Sequence, residues 1–186
     1  MEIQVENAQL KHFNQTSKFD PNYVREEINN STFWNWINLR RLAYQSQHKH
    51  VEDIVLRFQP VQGMFTFEDF LNGKECADLF VQKYLPKTTE LVIALTSRFK
   101  VGRVVIAKLK AGGSIGTHVD EGEYHKDYSR YHLVVDTNPQ VTFTCEDETI
   151  HMPEGTIWWF NNRVPHSVKN EGDTDRTHII VDIKKQ

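Results

Sequence analysis

The chain has 186 residues, of which 39% are hydrophobic, 11% aromatic and 25% charged, and its formal net charge is −3. This length and composition are typical of one globular domain and exclude an intrinsically disordered chain. The slight excess of acidic residues gives no reason to expect nucleic acid or a membrane as a partner. The first residues carry no secretion signal, so we expect a cytoplasmic protein with Cys76 and Cys145 reduced.

Before residue 100 the signals are mostly helical. Asp20-Pro21 predicts the cap and first position of a helix, with Glu26 and Glu27 as acidic residues in its first turn. Three more elements are predicted in this part: a strand over 51–58, an amphipathic helix from 66 to 84 that Pro86 ends, and a run over 88–99 that fits a helix or a strand.

After residue 100 the apolar residues alternate with a period of two, which predicts a series of short strands. These strands cover 103–109, 115–119, 131–135, 141–145, 156–160, 166–169 and 177–183. Many short strands separated by turn residues are typical of a sandwich or barrel. We therefore predict one mainly β domain over 1–186, in which a helix-rich part (1–100) covers one face of a β core (101–186).

Two possible metal ligands lie in the predicted strand around residue 118. His118 and Asp120 are two residues apart, so on an extended chain their side chains point to the same side. His166 begins a later predicted strand and could supply a third ligand. Two histidines and one carboxylate, with open positions opposite, are the ligands typical of non-haem Fe(II) oxygenases. The alternatives are a structural hydrogen bond between His118 and Asp120, or a zinc site.

An arginine follows His166 by ten residues and precedes an apolar strand. Held near one end of that strand, Arg176 could bind the tail of a dicarboxylate through two parallel hydrogen bonds. The combination of His118, Asp120, His166 and Arg176 within one β-rich region is more specific than the His-x-Asp motif alone.

These residues and their neighbours resemble the aspartyl/asparaginyl β-hydroxylase family of the 2-oxoglutarate-dependent oxygenases. The matching features lie between about Gly102 and Ile183: His118, Arg130-Tyr131-His132-Leu133, the segment Gly155-Thr156-Ile157-Trp158-Trp159-Phe160-Asn161-Asn162, His166 and Arg176. The resemblance implies a double-stranded β-helix of the jelly-roll or cupin-like type. It also implies Fe(II), with 2-oxoglutarate and O2 as co-substrates and succinate and CO2 as co-products.

The resemblance further implies that Arg176 forms a salt bridge with 2-oxoglutarate and that His132 lines the same pocket. It implies that Arg130 reaches the co-substrate or a carboxylate of the substrate. A packed core histidine at 132 and a surface ion pair at 130 are the alternatives.

Asp120 departs from the family pattern, because the animal members have glycine at this position. This difference favours the bacterial and phage-like members, some of which hydroxylate free amino acids such as proline. We therefore predict a dioxygenase that hydroxylates a C–H bond of an amino acid, or of a residue in a peptide or protein. A cupin-like binding module without catalysis, or a hydroxylase of another small molecule such as a nucleobase, are the alternatives.

The remaining polar and aromatic residues near the motifs have less specific patterns. Asn162 could support the metal site or only form a turn. Trp158 and Trp159 are adjacent on a strand and so face opposite ways, which leaves room for one of them, with Trp159 the candidate, in the pocket. His125 and His151 are expected at the surface. The segment 121–129 fits a solvated loop or a lid.

Overall fold

The computed structural model describes residues 10–37, 48–59, 72–73 and 75–185. The first described elements are strand β1 (Phe13–Lys18), helix α1 (Asn22–Asn29), strands β2 (Val51–Phe58) and β3 (Ala77–Asp78), a 3-10 helix (Phe80–Tyr84) and helix α2 (Pro86–Thr96). Strands β4 (Val101–Leu109) and β5 (Ser114–His118), helix α3 (Glu123–Asp127) and strands β6 (Tyr128–Asp136), β7 (Val141–Cys145), β8 (Glu148–Ile150), β9 (Thr156–Phe160), β10 (His166–Asn170) and β11 (Arg176–Lys184) follow.

The described strands form two antiparallel sheets. The larger sheet has the order β1-β9-β6-β11-β4-β2-β3, and the smaller has the order β5-β10-β7-β8. Consecutive strands along the chain often lie in different sheets, as in a double-stranded β-helix. The predicted fold class is thus confirmed, as an open pair of sheets rather than a closed barrel.

Alternation along the strands of the larger sheet creates two cores. On β6, Val134 belongs to the apolar cluster between the two sheets, and its neighbours Leu133 and Val135 belong to the cluster on the outer face. Val24 of α1 and Val92 of α2 pack into the outer cluster. These two helices thus lie on the outer face of the large sheet, and its inner face is left for the site.

The predicted strands after residue 100 are all present, with ends that differ by a few residues. The helix predicted after Asp20-Pro21 is confirmed as α1, but Pro21 rather than Asp20 occupies its cap position. An Asp20 carboxylate oxygen accepts the N–H of Asn22 at 3.0 Å. The acidic first turn expected for α1 is wrong. Glu27 instead caps the next helix, α2, since its carboxylate accepts the N–H groups of Lys87 and Thr88 at 2.9 and 2.8 Å.

The helix predicted from 66 to 84 is wrong over 77–84, because 77–78 is a strand and 80–84 is a 3-10 helix, although residue 72 is helical. Residues 66–71 and 74 lie outside the described part. The ambiguous run over 88–99 is helical, and Pro86 opens α2 rather than only ending an earlier helix. The edge strand β1 was not predicted, because only Phe13 of its six residues is buried and no alternation appears.

No helix in the described ranges is long and apolar enough to cross a membrane. Cys76 and Cys145 are both free thiols, as predicted.

Candidate metal and co-substrate site

Strand pairing brings the three predicted metal ligands together. His118 ends β5 and His166 begins β10, and the two residues are paired directly across the small sheet. Asp120 lies two residues beyond β5, where its N–H donates to the carbonyl of Asn162 at 3.0 Å. Potential ligand atoms of the three side chains all lie within 4.8 Å of one another, with His118 Nε2 at 3.9 Å from Asp120 Oδ1. A single metal ion can therefore contact all three.

Backbone contacts determine which nitrogen of each histidine faces the metal position. His118 Nδ1 lies 2.8 Å from the carbonyl of Gly116, and His166 Nδ1 lies 2.9 Å from the carbonyl of Val164. A carbonyl only accepts hydrogen bonds, so both Nδ1 atoms carry the proton and both Nε2 atoms have a lone pair for a metal. Burial also lowers the pKa of His166, against the opposing charge of Asp120, which favours the neutral ligand form. These residues fit Fe(II).

The two carboxylate oxygens of Asp120 have different surroundings. Oδ2 accepts hydrogen bonds from Arg130 Nη1 at 2.5 Å and from Asn162 Nδ2 at 3.0 Å. Oδ1 is the oxygen near His118, so it is the one placed to bind a metal. Burial alone would raise the pKa of Asp120, but Arg130 and three histidines outweigh burial and hold this pKa well below its ordinary value.

Arg130 is held in turn by a second buried carboxylate. It lies opposite Asp182 on the neighbouring strand β11, and its Nε and Nη2 donate to the two oxygens of Asp182 at 2.8 and 2.9 Å. This is the bidentate geometry that a guanidinium forms with a carboxylate. Burial opposes both charges, but attraction to Arg130 lowers the pKa of Asp182, and attraction to Asp120 and then to Asp182 raises the pKa of Arg130. Asp182, Arg130 and Asp120 thus form one chain of hydrogen-bonded side chains that ends at the candidate metal position.

A second polar group lies elsewhere on the inner face of the large sheet. Arg176 opens β11 and is only 1% exposed. Its Nη2 lies 2.7 Å from Nδ1 of His178, on the same strand, and 3.3 Å from Nδ1 of His132, on β6. The two Nδ1 atoms of His132 and His178 are 3.1 Å apart.

One cavity between the sheets joins the two polar groups. It is lined by His118 and His166, by Arg130, and by His132 and Arg176. Apolar side chains, with Phe143, Phe160 and Ile180 among them, form much of the remaining wall. His48, which was not predicted, also lines this cavity, and its ring lies 5.2 Å from that of His118. The two histidines predicted to bind a metal and Arg176 therefore line one cavity.

A family model described as aspartyl/asparaginyl beta-hydroxylase matches residues 2–186. The chain belongs to this family. The resemblance seen in the motifs is thereby confirmed, and the match extends through the first hundred residues, where no family feature was recognised.

Two similar proteins add detail to this membership of the aspartyl/asparaginyl β-hydroxylase family. The chain is 33% identical over 104 residues to an L-proline cis-4-hydroxylase of Rhizobium meliloti (strain 1021). The matched region covers 56% of this chain and 37% of that relative. It thus spans little more than a third of the relative's length. A crystal structure of a 2OG-Fe(II) oxygenase family oxidoreductase from Burkholderia pseudomallei superposes with a TM-score of 0.53 at 11% identity, over 73% of this chain and 68% of that one. This likeness supports the fold.

The structure places the weaker candidates of this family member in different surroundings. Asn162 is buried and contacts Asp120. Trp159 lies on the face of β9 opposite to that of Phe160, which lines the cavity, so the structure does not bring Trp159 to the metal ligands. The expectation for His125 is wrong: this residue is 5% exposed, and burial lowers its pKa to about 4. His151 is exposed, as predicted.

The segment 121–129, for which a solvated loop and a lid were the alternatives, is not a solvated loop. Residues 123–127 form helix α3, and Tyr124 within it is completely buried. The Tyr124 ring stacks on that of Tyr128 at 4.4 Å, and the guanidinium of Arg103 lies over it at 3.8 Å. These contacts attach α3 firmly beside the Arg130–Asp182 pair.

Besides His48, sequence reasoning missed two polar residues of the site on β11, His178 and Asp182. Both follow the alternation that begins at Arg176, since positions 176, 178, 180 and 182 face the same side of β11. Three polar residues on one face of an otherwise apolar strand are a signal that could have been found. The identity of their partners depends on the pairing with β6, which the sequence does not show.

Proposed function

We propose that this chain is an Fe(II)- and 2-oxoglutarate-dependent hydroxylase. The observation that carries the proposal is the convergence of His118 Nε2, His166 Nε2 and Asp120 Oδ1, each freed for a metal by the hydrogen bonds of its other polar atom. Two imidazoles and one carboxylate with open positions form the ligand set of oxygen-activating Fe(II) sites. Fe(II) bound there supplies, with 2-oxoglutarate and O2, the oxidising power to hydroxylate an unactivated C–H bond, leaving succinate and CO2.

In this proposal Arg176 binds the distal carboxylate of 2-oxoglutarate. Its guanidinium is buried and lines the same cavity as the metal-binding histidines. In such a water-poor space, a charge-assisted pair with a carboxylate is stronger than at the surface. Apolar side chains, with Phe143 and Phe160 among them, line the cavity that contains the arginine and the two histidines.

Arg130 has a positioning role in this proposal. Its Nη1 holds Asp120 Oδ2, so the carboxylate presents Oδ1, and its other hydrogen bonds hold it to Asp182. Such partners of ligating carboxylates orient the ligand and influence metal affinity. A guanidinium has five N–H donors. Contact of Arg130 with a co-substrate or substrate carboxylate therefore stays a prediction alongside the positioning role.

We propose a free amino acid as the substrate, with L-proline as the first candidate. Support comes from the relative of 33% identity, which is an L-proline cis-4-hydroxylase. Support also comes from Asp120, which distinguishes this chain from the animal family members, whose substrates are residues of proteins. A residue within a peptide or protein is the second candidate.

The test is a screen for substrate-stimulated succinate. Purified protein would be incubated aerobically with Fe(II) and 2-oxoglutarate and with each free amino acid in turn, and succinate and hydroxylated product would be quantified. His166→Ala is the inactive control. His151→Ala is the matched control, because it removes an exposed histidine away from the cavity.

The expected result is that L-proline, or a close analogue, raises succinate formation in the wild type and in His151→Ala but not in His166→Ala. Stimulation by peptides alone would reject the free amino acid and favour the second candidate. Absence of succinate formation with Fe(II), whatever is added, would reject the oxygenase and favour a binding module.

A further inference from the structure

Arg176, His132 and His178 form a cluster in which the hydrogen-bond distances determine which ring nitrogens carry a proton. All three side chains are at least 96% buried, with exposures of 1%, 4% and 1%. Two nitrogens 3.1 Å apart form a hydrogen bond only if one carries a proton and the other a lone pair. His132 Nδ1 and His178 Nδ1 must therefore differ in protonation.

The arginine decides which histidine accepts. A guanidinium only donates, so its nearer partner must have a lone pair. Arg176 Nη2 is 2.7 Å from His178 Nδ1 and 3.3 Å from His132 Nδ1. His178 Nδ1 is thus the acceptor of both neighbours, and His132 Nδ1 is a donor to it. His178 is the Nε2-protonated neutral tautomer.

The environment keeps His178 in this neutral form. Burial, and then the charges of Arg176 and His132, hold the pKa of His178 well below its ordinary value. A protonated His178 would lose the acceptor at Nδ1 and place a second positive charge beside the arginine. The distances and the charges therefore both favour a neutral His178. In this form Nδ1 of His178 fixes the direction of one Nη2–H bond of Arg176.

We infer that His178 is a positioning residue for the co-substrate: it holds the Arg176 guanidinium in the orientation that receives the distal carboxylate of a 2-oxo dicarboxylic acid. This inference rests on the proposed function. His178 and Arg176 are two residues apart on one face of β11, so the strand itself sets their spacing. A buried side chain with several rotatable bonds loses much conformational entropy when it is held in one rotamer. His178 holds Arg176 in one rotamer before the co-substrate binds, so this entropy loss does not weaken the binding of the co-substrate.

A co-substrate has two groups that can bind separately, its 2-oxo acid group and its distal carboxylate. 2-Oxoglutarate has both, whereas 2-oxopentanoate has the same five-carbon chain without the distal carboxylate. If His178 acts through Arg176, its loss weakens the binding of 2-oxoglutarate and leaves that of 2-oxopentanoate unchanged. A general disturbance of the cavity would weaken both.

The experiment measures both ligands by calorimetry on the Mn(II)-loaded protein without O2, so that no turnover is needed. Three proteins are compared: the wild type, His178→Phe, and His178→Asn, whose side-chain oxygen can accept in place of Nδ1. His178→Phe should bind 2-oxoglutarate roughly ten- to a hundredfold more weakly, the range expected for a lost hydrogen bond to a charged group. His178→Asn should recover a substantial part of this loss.

Equal affinities for 2-oxoglutarate in the wild type and both variants would overturn the inference, as would an equal loss for both ligands. Failure of the wild type itself to prefer 2-oxoglutarate over 2-oxopentanoate would overturn the proposed co-substrate role of Arg176 instead. If His178→Phe does not fold, His178→Asn with the same two ligands decides: the ratio of the two affinities must fall below that of the wild type by a few fold. An unchanged ratio would count against the inference.

Discussion

Two arginines on the inner face of the large sheet have opposite surroundings. Arg130 donates to two buried carboxylates, those of Asp120 and Asp182. Arg176 donates instead to the imidazole of His178 at 2.7 Å, and the imidazole of His132 lies beside it at 3.3 Å. The first arrangement, the balanced end, pairs the guanidinium with opposite charges and holds the candidate metal ligand Asp120 in place, whereas the second presents a guanidinium to a buried cavity. A guanidinium forms bidentate pairs with carboxylates, so the Arg176 end is suited to an incoming carboxylate.

The largest expected effect is on Fe(II) binding, which should depend on the two histidines and not on Arg176. His118→Ala and His166→Ala should each abolish stoichiometric Fe(II) binding and turnover, because each removes one of three metal ligands. Arg176→Ala should leave Fe(II) binding nearly unchanged, since the arginine only repels a cation. Anaerobic Fe(II) titration of the three variants measures this. Strong Fe(II) binding by either histidine variant would remove that residue from the metal site.

The next effect concerns the co-substrate. Arg176→Ala should weaken 2-oxoglutarate binding by about 3–5 kcal/mol, the usual consequence of removing one partner of a buried charge pair. This corresponds to a loss of roughly a hundred- to a few-thousandfold in affinity. Arg176→Lys should recover only part, because an ammonium cannot form the bidentate pair. Equilibrium binding to the Mn(II)-loaded protein checks the prediction, and unchanged affinity in Arg176→Ala would place the distal carboxylate elsewhere.

The balanced end should respond through stability. Asp182→Asn leaves the buried Arg130 with one carboxylate instead of two, which should lower the free energy of unfolding by about 3 kcal/mol. The matched control is Asp136→Asn, because Asp136 forms a partly exposed ion pair with Arg25 at 2.6 Å. That change should cost about 1 kcal/mol or less. Urea unfolding of the metal-free proteins gives both values. Equal losses in the free energy of unfolding would mean that the buried pair stabilises the fold no more than the partly exposed pair does.

The smallest of these effects is a pH dependence of the free energy of unfolding, caused by His125 near the balanced end. Burial lowers the pKa of His125 from 6.5 to about 4, so between these values the unfolded chain binds more protons than the folded one. Stability is therefore complete above pH 6.5 and falls as the pH decreases. At pH 5 the contribution lost through His125 should be about 2 kcal/mol.

Unfolding of the metal-free protein at pH 7 and pH 5 tests this for the wild type and for His125→Asn. The wild type should lose about 2 kcal/mol more than the variant, while the exposed control His151→Asn should follow the wild type. The buried His166 and His178 contribute with the same sign in all three proteins. An equal loss in wild type and His125→Asn would show that His125 is not the group responsible.

The difference between the two ends also explains what the sequence could predict. His118 and Asp120 are local: their spacing of two on an extended chain is enough to place them on one side. The strands after residue 100 alternate clearly because each has one face in the inter-sheet core and the other under helices or solvent. The pairing of Arg130 with Asp182 depends instead on the register between β6 and β11, and 52 residues separate the two in the chain.

The first part of the chain was harder for related reasons. The edge strand β1 and the two-residue strand β3 bury too little to leave a period, and β2 and β1 join the large sheet through long-range pairing. His125 seemed a surface residue because its neighbours are charged. Its burial comes from the short helix α3 folding against Asn162, a contact across 37 residues.

The central claim is that two histidines and Asp120 together hold Fe(II), and Asp120→Gly tests it most directly because it creates the residue that the animal family members have. Fe(II) affinity and substrate-coupled succinate formation would be measured side by side in the wild type, in Asp120→Gly and in Asp147→Gly. Asp147 is the control, since it belongs to a different group of potential metal ligands, with His12 and Glu146. We predict weaker Fe(II) binding and loss of most succinate formation in Asp120→Gly alone. Unchanged affinity and succinate formation in that variant would show that Asp120 is not a ligand and would contradict the account.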